Sequence, residues 1–177
     1  MTTWRRTMSL RFAILTVSDR SFHGQREDKA GPALADAVAQ RGWQVVARGV
    51  VPDDFAAIRA ALLAWCDQDE ADVILTTGGT GFAPRDVTPE ATRSILEREA
   101  PGLAEAMRAA SLRITPHAML SRAVAGIRGR VLIVNLPGSP KAAVENFAVI
   151  ADVLPHAVQL LREAPDAEQG HAHPHHG

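Results

Sequence analysis

Short apolar runs alternate with longer stretches of helical periodicity between residues 10 and 162. Four runs predict strands, over 12–17, 43–51, 72–77 and 130–135. Three of these are continuously apolar, which is typical of strands covered by helices on both faces, while the more mixed run at 43–51 is expected at an edge. The alternation predicts an α/β protein, specifically a three-layer α/β/α sandwich around a mostly parallel central sheet.

Helix boundaries are indicated by capping residues, first-turn prolines and glycines. The expected signals are Pro32 at the start and Gly42 at the end of one helix, Asp53 or Asp54 capping a second, Thr88 capping a third that ends at Pro101-Gly102, and Ser139-Pro140 opening a later helix that restarts or kinks at Pro155. Apolar repeats also predict two consecutive helices over 103–113 and 116–125, with no strand between them.

The chain has 177 residues, of which 46% are hydrophobic and 22% charged, and this fits one globular domain. We expect that domain at 10–163, after an N-terminal tail at 1–9 and before a disordered, histidine-rich tail at 164–177. A formal net charge of -1 argues against a general nucleic-acid binder. No apolar run approaches the roughly 18 residues that span a bilayer, so no membrane association is expected. The single cysteine, Cys66, excludes an intramolecular disulfide and fits a cytoplasmic location.

Loop chemistry follows every predicted strand, at the sheet edge where parallel α/β proteins bind their ligands. The four segments are Ser18-Asp19-Arg20, Pro52-Asp53-Asp54, Gly78-Gly79-Thr80-Gly81 and Pro137-Gly138-Ser139. Glycines permit positive φ angles and a close approach of phosphates to backbone N–H groups, but this glycine loop is neither a Walker loop nor a dinucleotide fingerprint. On spacing alone, glycines that only turn the chain and aspartates that cap helices or face solvent are the simpler interpretations.

The connection at 18–31 is long for a strand-to-helix loop and mixes basic with acidic residues. Its basic residues are Arg20, Arg26 and Lys29. A mobile cover over an anionic ligand and an ordinary solvated loop are equally compatible with this composition.

The stretch 76–92, which contains TTGGTG followed by RDVTPEAT, resembles the hallmark sequence of the MoaB/Mog family of molybdenum cofactor biosynthesis. Four further stretches are similar to the same family: TVSDR at 16–20, DKAGP at 28–32, VPDD at 51–54 and NLPGSP at 135–140. The similarity runs in order over about residues 10–162.

This resemblance implies the molybdopterin-binding fold, a homotrimer, molybdopterin and ATP as substrates, and Mg²⁺ as cofactor. It also implies that the family's catalytic aspartates fall on Asp53 and Asp86. Because Mg²⁺ binds one or two carboxylates together with phosphate oxygens, we expect Asp86 to hold Mg²⁺ and Asp53 to provide either a second metal contact or a contact to the nucleotide. The expected phosphate-binding residues are Ser18, Asp19, Arg20, Gly78, Gly79, Thr80, Gly81, Pro137, Gly138 and Ser139.

The leaving pyrophosphate would be neutralised by Arg20, Lys29 or Arg85, and the product would be handed over to a molybdate insertase. The alternative is a non-catalytic molybdopterin-binding or scaffold homologue of the same fold. Asp53 and Asp86 favour the enzyme over that alternative.

Overall fold

A computed structural model describes residues 9–162, whose strands form one six-stranded sheet. The strands are β1 (Arg11–Val17), β2 (Gln44–Val51), β3 (Val73–Thr77), β4 (Arg98–Glu99), β5 (Ala125–Arg128) and β6 (Val131–Leu136). Their order across the sheet is β2-β1-β3-β6-β5-β4. The first four in that order are parallel, β5 pairs with β6 in antiparallel register, and β4 pairs with β5 in antiparallel register. The mostly parallel sheet is therefore confirmed, with β2 at an edge as expected.

Helices cover both faces of this sheet. They are α1 (Asp19–Phe22), α2 (Ala30–Gln40), α3 (Phe55–Asp67), α4 (Thr88–Arg93), α5 (Pro101–Leu112), α6 (Pro140–Ala151) and α7 (Leu154–Leu161), with a short 3-10 helix at Pro116–Leu120. Apolar residues of α2, α5, α6 and α7 form one core, and those of α3 and α4 form the other. Successive residues of β1 alternate between the two, since Phe12 belongs to the first core and Ala13 to the second. The predicted three-layer sandwich is thus confirmed.

Most of the predicted helix signals are confirmed at the residue level. Asp54 caps α3, because its carboxylate accepts a hydrogen bond from the Ala57 N–H at 2.8 Å. Ser139 caps α6 in the same way, and Gly42 follows α2 with a φ of 76°. Pro32, however, is the third residue of α2, so that helix begins two residues earlier than predicted.

The predicted helix from Thr88 to Pro101 is wrong. It ends at Arg93, the chain then enters β4, and Pro101 begins α5 instead of ending its predecessor. Thr88 is also not a cap, because its hydroxyl donates a hydrogen bond to the Gly78 carbonyl at 2.9 Å.

The predicted helix over 116–125 is wrong as well. The chain leaves the 3-10 helix at Ser121 and becomes β5, which pairs with β6 in antiparallel register. As predicted, no strand lies between α5 and the 3-10 helix, but the chain after Ser121 pairs with β6 as β5, because tertiary pairing overrides a helical apolar repeat.

Within residues 9–162 no single helix is long and apolar enough to cross a membrane, and α6 with α7 passes that test only as a pair bent by 63°. The predicted tails at 1–9 and 164–177 lie outside the described residues, apart from Ser9.

Candidate functional site: a glycine-lined cleft with two carboxylates

A cleft of about 600 Å³ lies where β1, β3 and β6 end. It brings together loops that are far apart in the chain, as expected for the carboxyl edge of a parallel sheet. Seven of the predicted catalytic and phosphate-binding residues line it: Ser18, Asp53, Gly78, Gly79, Asp86, Gly138 and Ser139. The two aspartates therefore share one cleft with the glycine loop.

Asp53 is held in this cleft by Asp19. The Asp53 carboxylate accepts a hydrogen bond from the Asp19 N–H at 2.9 Å, and the Asp19 carboxylate accepts one from the Asp53 N–H at 2.9 Å. Asp19 also forms an ion pair with Arg85. Asp19 itself is not among the residues lining the cleft. The contacts with Asp19 orient the Asp53 carboxylate, and Asp54 rather than Asp53 caps α3.

The electrostatic environment of Asp53 disfavours its charge. Burial is the largest cause and raises the pKa of Asp53, and the nearby charges of Asp19 and Asp86 raise it further. The Asp19 N–H and the Arg85 guanidinium act in the opposite direction, but the pKa remains above its usual value. A cation bound in the cleft would relieve this repulsion between carboxylates.

Asp86 is placed by a tight turn. Its carboxylate accepts a hydrogen bond from the Ala83 N–H at 3.1 Å, and its own N–H donates to the Ala83 carbonyl at 2.9 Å. A Cβ at Gly81 would come within 2.9 Å of the Asp86 carboxylate. The glycine at position 81 therefore leaves room for the Asp86 side chain beside the loop.

Two glycines at the end of β3 tolerate no side chain. Gly78 and Gly79 have φ angles of 101° and 69°, in the region that favours glycine. A Cβ at Gly78 would lie 2.3 Å from the Val17 carbonyl oxygen, and one at Gly79 would lie 2.3 Å from the Thr88 hydroxyl and 3.2 Å from an Asp53 oxygen. Bare backbone is consequently exposed to any ligand beside Asp53.

The long 18–31 connection forms one wall of the cleft and supplies its positive charge. Arg26 and Lys29 both line the cleft. Between them, the Asp28 carboxylate accepts hydrogen bonds from the Thr16 hydroxyl at 2.8 Å and from the Gly31 N–H at 3.0 Å. Asp28 therefore anchors this wall to the end of β1.

Other predicted phosphate-binding residues lie elsewhere. Thr80, Gly81 and Pro137 line a neighbouring, mainly apolar cavity of about 290 Å³ next to α5 and α6. Arg20 and Arg85 do not line the cleft, and Arg85 pairs with Asp19. Of the three cations proposed for pyrophosphate, only Lys29 faces the cleft.

Sequence reasoning missed several residues that shape the cleft. Thr16 and Asp28 were not assigned a role, although both lie in stretches that resemble the family, and Thr77 joins two loops by donating a hydrogen bond to the Pro137 carbonyl at 2.6 Å. Nothing in the local sequence indicated a role for Arg122, because its hydrogen-bond partners Gly81 and Asp86 are distant in the chain.

The donor set suits a cation that binds with few protein ligands. Across the part of the chain that the structure describes, no group of three or more His, Cys, Asp or Glu side chains is arranged to hold a metal ion. Mg²⁺ is usually held by one or two carboxylates together with phosphate and water oxygens, so Asp53 and Asp86 fit Mg²⁺ that arrives with a polyphosphate.

The fold is an α/β sandwich in which bare glycine backbone, two carboxylates and basic residues meet at one sheet edge, an arrangement that suits a phosphate-bearing ligand. Residues 13–156 match the family described as "Probable molybdopterin binding domain". The chain therefore belongs to this family of molybdenum cofactor biosynthesis proteins.

The chain spans most of the length of some similar proteins and about a quarter of the length of others. The chain is 38% identical over 175 residues to the molybdopterin adenylyltransferase of Escherichia coli K12, covering 90% of this chain and 89% of that protein. It is 47% identical over 155 residues to the molybdenum cofactor synthesis protein cinnamon of Drosophila melanogaster, covering 86% of this chain but 26% of that protein. The crystal structure of the molybdopterin biosynthesis enzyme MoaB of Thermus thermophilus superposes with a TM-score of 0.83 at 52% identity, covering 88% of this chain and 98% of that one.

Proposed function

We propose that this chain is a molybdopterin adenylyltransferase that transfers AMP from ATP to molybdopterin in an Mg²⁺-dependent reaction. The observation that carries the proposal is that Asp53 and Asp86 line one cleft with the bare backbone of Gly78 and Gly79. The name of the Escherichia coli relative, which matches over most of both chains, supports the same activity.

The proposed reaction joins two phosphates. An oxygen of the terminal phosphate of molybdopterin forms a bond to the α-phosphorus of ATP, and the bond from that phosphorus to the bridging oxygen breaks, so that pyrophosphate leaves with the electron pair. The attacking phosphate is already anionic at neutral pH, and no strong general base is required. The protein must instead position two polyanions and offset their charge.

The cleft residues divide this work between them. Asp86 and Asp53 would hold Mg²⁺, which when bound offsets the charge that accumulates on the phosphates. The N–H groups of Gly78 and Gly79 and the N-terminal end of α6 at Ser139 would orient phosphate oxygens. Lys29 lines the same cleft and would neutralise the leaving pyrophosphate.

Three further expectations belong to this proposal. The chain would act as a homotrimer in the cytoplasm and would hand the adenylylated pterin over to a molybdate insertase. These expectations derive from the family resemblance, and each is open to a direct test by light scattering, fractionation or product transfer.

The decisive experiment incubates purified protein with molybdopterin, Mg²⁺ and ATP labelled at the α-phosphate. Wild type should form adenylyl-molybdopterin and pyrophosphate, and Asp86→Asn and Asp53→Asn should each lower kcat by about 100-fold or more because charge stabilisation at the phosphates is lost. Asp54→Asn is the matched control, since Asp54 is the adjacent, exposed acid and asparagine caps helices equally well.

Full turnover by Asp86→Asn would remove Asp86 from the mechanism. Wild-type protein that binds molybdopterin without forming product would instead favour the non-catalytic homologue.

A further inference from the structure

We propose that Arg122 is a positioning residue that holds the segment 80–90 in the shape that presents Asp86 to the cleft. Arg122 lies between the 3-10 helix and β5, and it does not line the cleft. The inference rests on the proposed function, because it takes Asp86 to be the Mg²⁺ ligand.

Arg122 contacts this one segment at four points. Its backbone N–H donates a hydrogen bond to the Thr80 carbonyl at 2.8 Å. Its guanidinium donates from Nε to the Gly81 carbonyl at 2.7 Å and from Nη2 to the Asp86 carbonyl at 2.7 Å. Its Nη1 forms an ion pair with the Glu90 carboxylate. One side chain therefore joins both ends of the turn that carries Asp86.

The other anchor of the turn is weak, because the Arg85 side chain that pairs with Asp19 is 71% exposed and exposed ion pairs contribute little. Residues 82–85 are exposed, and Phe82 is 67% exposed, so packing contributes little to the conformation of the turn. Within the turn, Ala83 and Asp86 form two hydrogen bonds with each other, and these fix only its tip. The rigid fork of Arg122 fixes the separation of the Gly81 and Asp86 carbonyls, and with it the direction of the Asp86 side chain.

The ion pair of Arg122 with Glu90 keeps the guanidinium in place. Burial raises the pKa of Glu90, but the hydrogen bond from Arg122, a backbone N–H and the charges of Arg122 and Arg93 together bring that pKa below its usual value. Glu90 is thus charged at neutral pH. Since Glu90 belongs to α4, Arg122 ties the exposed turn to a helix that packs on the sheet.

The test compares Arg122→Gln and Arg122→Lys with the matched control Arg93→Gln. Arg93 is also an arginine of this region, but it pairs with Glu99 on the surface and does not touch the turn. The readouts are the Mg²⁺ concentration that gives half-maximal turnover, the KM for molybdopterin, and the affinity for Mg²⁺ with a non-hydrolysable ATP analogue measured by calorimetry.

Arg122→Gln should raise the Mg²⁺ requirement by about 10-fold and lower kcat by about 10- to 100-fold, because residues that orient a metal ligand have effects of this size. The KM for molybdopterin should stay unchanged. Arg122→Lys should fall between wild type and Arg122→Gln, because a lysine ammonium lacks the fork that joins two carbonyls. Arg93→Gln should match wild type in every readout.

An unchanged Mg²⁺ requirement in Arg122→Gln, or an activity that falls only in proportion to the folded fraction, would overturn the inference. Arg122→Lys provides the same comparison if the glutamine variant does not fold. If wild type proves inactive, the proposed function fails, and calorimetry with Mg²⁺ and the nucleotide analogue still decides whether Arg122 positions the metal site.

Discussion

Replacing Gly79 by alanine tests the packing of the cleft, because Gly79 lies against the buried Thr88 and against Asp53 of the proposed metal site. An alanine there must adopt a φ near 69°, which costs about 1–2 kcal/mol for a residue with a Cβ. Its Cβ would also lie 2.3 Å from the Thr88 hydroxyl. That hydroxyl must move and lose its hydrogen bond to the Gly78 carbonyl, which adds about 1–3 kcal/mol for a buried bond. The expected loss of unfolding free energy is about 2–5 kcal/mol.

Gly42→Ala is the matched control. Gly42 has a φ of 76°, but a methyl group added there would meet nothing within 4 Å, so only the backbone cost applies. Both variants reduce the freedom of the unfolded chain equally, and this contribution cancels when they are compared. Urea denaturation followed by circular dichroism should therefore show Gly79→Ala to be less stable than Gly42→Ala by about 1–3 kcal/mol.

Affinity for Mg²⁺ with an ATP analogue should fall in Gly79→Ala and remain unchanged in Gly42→Ala, since the new methyl group would also lie 3.2 Å from an Asp53 oxygen. Equal stability and equal affinity in the two variants would refute the reasoning.

Three further substitutions test separate parts of the structure. Asp53→Asn should stabilise the metal-free protein at pH 7 but not at pH 3. Burial and neighbouring carboxylates raise the pKa of Asp53, so the cost of its charge appears only as pH rises through that pKa. Urea midpoints that show no difference between the two pH values would contradict this. Asp72→Asn should destabilise the protein at pH 7, and the loss should fade below about pH 3.8. Burial raises the pKa of Asp72, but hydrogen bonds from Arg11 and Arg162 outweigh burial and leave that pKa lowered. The same loss at every pH in a series of thermal melts would contradict this. Asn135→Leu should lower the unfolding free energy by about 2–5 kcal/mol, because the Val124 N–H and the hydroxyls of Thr76 and Thr92 lose a buried hydrogen-bond partner. A loss under about 1 kcal/mol in urea denaturation would show that these hydrogen bonds do not stabilise the fold.

The central strands were predictable from sequence, while the antiparallel edge was not. β1, β3 and β6 are buried along nearly their whole length, and strands buried on both faces are visible in the sequence as continuous apolar runs. β4 consists of two exposed residues, and β5 begins in an alanine-containing stretch that also fits a helix. These two strands exist because they pair with each other and with β6, and local sequence does not encode that pairing.

The candidate site shows the same division. Asp53 and Asp86 were assigned by the family resemblance, because spacing alone favoured helix caps or solvent-facing acids. Their meeting in one cleft follows from the carboxyl edge of a parallel sheet, which brings such positions together. Arg122 carries no local signal, since its side-chain partners lie 41, 36 and 32 positions away. The separate roles of Asp53 and Asp54 also needed coordinates, because adjacent acids before a helix are equivalent caps in sequence.

The most direct test of the central claim is a crystal structure with Mg²⁺ and an ATP analogue that cannot be cleaved between its α- and β-phosphates. The account predicts a triphosphate along the backbone of Gly78 and Gly79, and a cation bridging it to Asp86. A nucleotide bound elsewhere, with neither Asp53 nor Asp86 in contact with metal or phosphate, would contradict the account.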